Sequence, residues 1–194
     1  MKAVLISIKP KWCELIASGE KTAEVRKSRP KLETPFKCYI YCTNGQSEAL
    51  WRYRGEYYYD QQFPNERPDK ANGKIIGEFV CNEILTAFQC NSGWIWENAR
   101  IPQELFFDYL GIPRGTHFGY EKKAYAWRIS DLVVYSKPKE LSEFRKPCVN
   151  DLFCENCALY SNPLERCGNV GLIITRPPQS WCYVEELRGE NYGN

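Results

Sequence analysis

Runs of four to eight β-branched and aromatic residues, each closed by a glycine, proline or asparagine turn signal, recur along nearly the whole chain. That rhythm admits few folds, because runs this short fit strands rather than long helices. Ala3 to Ile8 reads as a strand by its β-branched content. Pro10 then suits a first helical turn, Trp12, Leu15 and Ile16 recur at helical spacing, and Gly19 closes the helix as its C′ residue. Thr22 to Lys27 alternates Ala23 and Val25 against Thr22, Glu24 and Arg26, which predicts a half-buried strand whose polar face carries an acid and a base. Phe36 to Thr43 and Gln46 to Tyr53 flank Asn44-Gly45, a type I′ hairpin signal. Asn72-Gly73 precedes a further strand, Lys74 to Glu83. Pro102 to Leu110 places Leu105, Phe106, Tyr109 and Leu110 on one helical face. Lys123 to Tyr135 reads as one long strand and Trp181 to Glu185 as a short last one. Together these predict an α+β chain, a small and mostly antiparallel closed barrel with short flanking helices.

Length and charge narrow the class. The 194 residues suit one moderate domain with a small appendage. With 26 Lys+Arg against 24 Asp+Glu the net charge is +2, which excludes charge-driven disorder and a free basic arm. Six apolar-leaning residues, Ala3 to Ile8, are too few for a secretory core, and no uncharged apolar run approaches roughly 18 residues, so no membrane span and a cytoplasmic setting are expected.

In that setting ten cysteines are core residues or metal ligands rather than a disulfide frame. Cys13, Cys38, Cys42, Cys81, Cys90 and Cys182 lie among apolar neighbours and suit core packing. Cys148, Cys154, Cys157 and Cys167 differ, falling as C-x5-C-x2-C-x9-C in a turn-rich stretch without a core of its own. Four thiolates around one structural Zn²⁺ would staple it. Buried free thiols and an iron-sulfur cluster are the alternatives.

The opening run "SIKPKWCELIASGEKTAEVRKSRP" resembles the ASCH domain of the PUA-like β-barrel superfamily, whose hallmark is G-x-K-x-x-E-x-R. Here that stretch is Gly19, Lys21, Glu24 and Arg26. "GKIIGEFVCNEI", "KAYAWRISDLVVYSKPKELSEF" and "RPPQSWCYVEEL" are similar to phage and bacterial members of the same family. The resemblance implies a barrel over 1–143, a Cys-rich insertion at 144–174 and a segment at 175–194 returning to the barrel. It also implies a cleft lined by Lys21, Glu24 and Arg26 that binds RNA or a nucleotide. A few small members are described as ribonucleases or as amidohydrolases of acylated cytidine. In an enzyme of that kind Lys21 and Glu24 would be the catalytic pair, although the amidohydrolases carry Thr where this chain has Glu24.

The residues carry readings of their own. One carboxylate between two cations can accept from an exocyclic amine while the cations meet phosphate or carbonyl oxygens; a surface ion-pair cluster is the plainer alternative. Residues 1–31 hold eight Lys+Arg and three Glu, a local excess of +5 that favours an anionic ligand. In "WRYRGEYYYD", Trp51, Arg52 and Arg54 interleave with tyrosines, as a base-stacking platform would and as an edge hairpin with cross-strand aromatic pairs also would. His117 is the only histidine, so a two-histidine acid-base mechanism is impossible. Three functions stay open at this point: an RNA or nucleotide-binding module, a metal-independent hydrolase, and an adaptor that meets a protein partner through the Cys-rich insertion.

Overall fold

The structure, a computed structural model, describes residues 1–45, 48–90, 93–95, 123–148 and 169–187. Among these the chain forms β1 (Lys2–Ile8), α1 (Pro10–Ala17), β2 (Ala23–Arg26), β3 (Phe36–Cys42), β4 (Leu50–Tyr53), β5 (Glu56–Tyr59), β6 (Asp69–Lys70), β7 (Ile75–Cys81), β8 (Ile84–Cys90), β9 (Gly93–Ile95), β10 (Lys123–Arg128), β11 (Ser130–Lys139) and β12 (Trp181–Glu185). They assemble into three sheets ordered β11-β7-β3-β1-β12, β2-β10-β8-β9 and β5-β4-β6. The α+β, strand-rich reading holds. Closure does not: each sheet keeps two free edges among the described residues, because the chain changes sheet between strands instead of completing one hydrogen-bonded ring.

β1 organises the molecule. Its run from Ala3 to Ile8 has no exposed residue, which places it inside a sheet covered on both faces. It pairs antiparallel with β12 and parallel with β3, and α1 with β2 forms the crossover that a parallel pair requires. The two-residue period then sorts the core. Val4, Ile6 and Ile8 pack with Trp12, Ile16, Cys38, Ile40, Phe79 and Trp127 on one face. Ala3 and Leu5 pack with Tyr39, Tyr41, Ile75, Phe144 and Val184 on the other. Each fully buried Val, Leu or Ile contributes about 1.5–3 kcal/mol against exposure.

The predicted helix forms with Pro10 as its first residue, Trp12 and Ile16 buried, and Gly19 at φ +80° just beyond its end. Cys13, Cys38, Cys42 and Cys81 are core residues, as their neighbours suggested, and burial pushes the Cys81 thiol up to about 12. Three local expectations fail. Asn44-Gly45 joins no hairpin, because β3 is paired on both sides by β1 and β7 while β4 belongs to the third sheet. The two-residue turn is instead Arg54-Gly55, with φ of 49° and 93°, and it joins β4 to β5. The long strand expected over Lys123 to Tyr135 divides at Ile129, with β10 pairing β2 and β8 and β11 pairing β7. The strand around Glu24 is not half-buried either, since Ala23, Glu24 and Val25 are all buried.

The ends of the Cys-rich segment are joined. Lys146 N–H donates to Leu172 O at 2.8 Å, Ile174 N–H to Phe144 O at 2.9 Å, and Arg145 bridges Ile173. Phe144 and Ile174 are buried in the core, so this stem belongs to the main body. The helix expected over Pro102 to Leu110, His117, and Cys154, Cys157 and Cys167 lie outside the described residues. No helix among the described residues is long and apolar enough to cross a membrane.

Candidate functional site

The three charged residues of the hallmark stretch meet at the start of β2. Lys21 follows α1 directly, its N–H bonded to Leu15 O at 2.8 Å, so the helix end fixes where its side chain begins. Its Nζ donates to Glu24 Oε2 at 2.5 Å and to Ala23 O at 2.6 Å. Arg26 Nη2 lies 2.8 Å from Glu24 Oε1 and donates to Ser7 O at 2.5 Å. Glu24 is fully buried, Lys21 is 3% exposed and Arg26 16%. The cluster is therefore an interior network and not the surface ion pair that was the plainer alternative, and the two cations make it tolerable by accompanying the carboxylate. Burial pulls the Lys21 ammonium below its ordinary value of 10.5, and the Glu24 carboxylate opposes that shift only in part.

Arg26 carries this network to the surface. It lines a cleft of about 450 Å³ formed by Ser7, Ile8 and Lys9 at the end of β1, Trp12 of α1, Val25 to Ser28, Thr43, and Gln179 and Ser180 before β12. Lys21 and Glu24 are not among the lining residues; they stand behind Arg26. A hydrolase relying on that pair would need both groups to reach substrate past the guanidinium. The charged groups of the lining are Lys9, Arg26 and Lys27; no carboxylate lines the cleft, and Glu24 pairs with Arg26 from behind the wall. Ile8, Trp12 and Val25 are buried and form an apolar floor.

Ser7 ties the far wall to β1. Its N–H donates to Ser180 O at 2.9 Å, and its hydroxyl donates to Pro178 O at 2.6 Å. Arg26 Nη1 reaches Ser180 Oγ at 3.5 Å across the same junction, and Arg26 Nε is buried with no acceptor among the described residues. Ser7, Thr43, Gln179 and Ser180 were not foreseen as site residues. The one signal near Gln179 and Ser180 in the sequence was "RPPQSWCYVEEL", which carried only a likeness to the family.

Trp51, Arg52 and Arg54 are brought together, but away from this cleft. Their sheet packs on α1, where Glu14 Oε1 accepts from Tyr59 N–H at 2.9 Å. Arg52 faces Tyr57 across the β4–β5 pair, and Trp51 faces Tyr58. Arg54 covers the Tyr53 ring at 4.9 Å and lies 3.9 Å from Glu66, while Phe63 packs on Tyr53 and Tyr58 with ring centroids 5.4 and 5.7 Å apart. Phe63, in the loop after β5, thus packs against one tyrosine from each strand of the hairpin. Of the four-cysteine set, Cys148 is described and half-buried beside the stem.

Residues 6–130 match the family model of the ASCH domain, a span that holds the hallmark stretch and the β1, α1 and β2 walls of the cleft. The chain belongs to the ASCH domain family. ASCH domains are PUA-like and generally bind RNA. Among solved structures the chain is similar to ASCH from Zymomonas mobilis at 19% identity, covering 95% of this chain and 88% of that one with a TM-score of 0.44. A tyrosine-to-phenylalanine variant of the same Zymomonas mobilis protein matches at 19% identity, 96% and 92% coverage and a TM-score of 0.45. No curated protein matches the chain.

Proposed function

We propose that this ASCH domain binds RNA or another nucleobase-containing anion in the cleft between β1, α1 and the loop before β12. The observation that carries the reading is the lining itself, in which Lys9, Arg26 and Lys27 surround an apolar floor and a rim of hydroxyls and one amide, and the excess positive charge is that of Lys9 and Lys27 because Glu24 pairs with Arg26 from behind. A base can lie on Ile8, Trp12 and Val25, its edge meeting Ser7, Thr43 or Gln179. Its phosphate meets Lys9, Arg26 or Lys27. The volume falls within the range of small-ligand sites. In this reading Lys21 and Glu24 hold Arg26 in place and do not touch the ligand.

Fluorescence anisotropy with single-stranded RNA tests it. Lys9→Ala and Lys27→Ala remove exposed side chains from the rim, and each should weaken binding about tenfold or more, since a hydrogen bond to a charged group contributes about 1.5–3 kcal/mol. Lys70→Ala, on β6 outside the cleft, should leave binding unchanged. Equal affinities for all three variants and the parent would overturn the assignment.

A further inference from the structure

We infer that the segment following β2, Lys27 to Lys31, is a track for the phosphate backbone of a single-stranded RNA whose leading nucleotide occupies the cleft, so that the ligand is a strand and not a free nucleotide. The inference rests on the cleft reading above and extends it along the surface.

Lys27, Arg29 and Lys31 alternate with Ser28 and Pro30. All three cations are exposed, while Pro30 is buried. Ser28 Oγ accepts from Trp181 Nε1 at 3.1 Å, and Lys31 N–H donates to Tyr183 OH at 2.7 Å. Trp181 and Tyr183 are two apart on β12, so they leave the same face, and their rings meet edge-on with centroids 5.4 Å apart. Trp181 also meets Trp127, which is fully buried, with centroids 5.9 Å apart. The basic segment is thus fixed to the core through an aromatic row. It is held at Ser28 and Lys31, so the three side chains leave from fixed points of the surface while their charged ends stay in solvent.

The charges are also uncommitted. None of Lys27, Arg29 and Lys31 forms an ion pair with a carboxylate among the described residues, whereas Lys37, Lys74, Arg128 and Lys139 all do. Glu24, the nearest acid before the segment, is occupied by Lys21 and Arg26. Lys27 and Ser28 line the cleft, so the row of cations starts at its mouth and leads outward. Four residue steps span at most roughly 13–14 Å. A lone nucleotide seated in the cleft would leave Arg29 and Lys31 without a counterpart; the continuing phosphates of a strand would supply one.

The test compares a mixed-sequence RNA of about ten nucleotides, within the usual range of single-strand sites, with the four 5′-mononucleotides, over a series of salt concentrations. The parent protein should bind the oligomer more tightly and with a steeper salt dependence than any mononucleotide. In Arg29→Ala/Lys31→Ala, two phosphate contacts fewer should flatten the oligomer's log–log salt slope by about 1.4, at about 0.7 per contact on a single strand. Raising salt tenfold should then cost the parent about 25-fold more affinity than the variant. Mononucleotide binding should not change, because neither substituted residue lines the cleft. Equal slopes for oligomer and mononucleotide, or an oligomer slope untouched by the double substitution, would overturn the track and leave the cleft reading standing. Displacement of the RNA by poly-glutamate of matched length as readily as by unlabelled RNA would also overturn it, in favour of an acidic peptide. Absence of binding to both RNA and mononucleotides would overturn the cleft reading and the track together.

Discussion

Glu24→Gln separates a buried charge network from a surface cluster. The substitution keeps the shape of the side chain and removes the charge that accompanies Lys21 at 2.5 Å and Arg26 at 2.8 Å. Lys21 is 3% exposed, so its ammonium would stay in the interior beside the Ala23 carbonyl and the new amide, without the carboxylate's charge. Breaking a buried pair from one side costs about 3–5 kcal/mol, against about 0–1 kcal/mol for an exposed pair. In urea, at about 2 kcal/mol per molar for the slope, the unfolding midpoint should fall by about 2 M at neutral pH. The pH dependence has a definite sign. The folded-state pKa of Lys21 is already below its unfolded value of 10.5, and both Glu24 contributions raise it, so their loss lowers it further. Between the folded and unfolded values the unfolded chain binds more protons, so stability rises with pH. Urea titrations between neutral pH and pH 10 should therefore show Glu24→Gln regaining stability relative to the parent. Adding Lys21→Met should restore much of the loss at neutral pH, because no uncompensated ammonium remains. A midpoint shift of less than about 0.5 M, or a Glu24→Gln deficit that does not change with pH, would refute the reasoning.

Two further predictions concern other parts of the chain. A Cβ at Gly77 would lie 2.5 Å from the Val133 carbonyl oxygen and 3.3 Å from Val134 Cα, so Gly77→Ala must displace β11 from β7. Overpacking of this kind costs about 1–3 kcal/mol, and calorimetry should show Tm lowered by roughly 3–9 °C; an unchanged Tm would mean that β11 yields freely. For the Cys-rich segment we propose one thiolate-bound Zn²⁺ on Cys148, Cys154, Cys157 and Cys167. Protein purified without chelator should carry about one zinc per chain, and Cys154→Ser should lose it and expose the segment to protease while the main unfolding transition stays, since Phe144 and Ile174 remain in the core. Less than about 0.2 zinc per chain would refute this assignment.

The chain's local patterns specified the elements whose surroundings are uniform. The unbroken apolar run of β1 is legible because both faces meet core. The helix from Pro10 is legible because proline, spacing and Gly19 agree with one another. Asn44-Gly45 misled because a turn signal states that the chain can reverse there, not which strand it then meets. Asn72 decides that from a distance, accepting from Leu50 N–H at 2.8 Å and donating to Thr43 O and Glu48 O at 3.0 Å. Lys123 to Tyr135 misled because a strand passing from one sheet to another keeps the same alternation on both sides of the break.

The candidate site divides along the same line. The sequence by itself determined that an acid and two bases lie together at the start of β2, since a strand and a helix end fix their spacing. Only the tertiary structure decided that Lys21 and Glu24 lie inside while Arg26 reaches the cleft, because burial depends on what covers a strand, and Glu24 lies near Cys13 of α1 and Cys38 of β3 while Arg26 faces the loop before β12. The cleft's far wall, Gln179 and Ser180, lies more than 150 residues from Arg26 in the chain and is brought to it by the pairing of β12 with β1. Local periodicity records which face of an element is apolar; it holds no information about which distant segment will close over the other face.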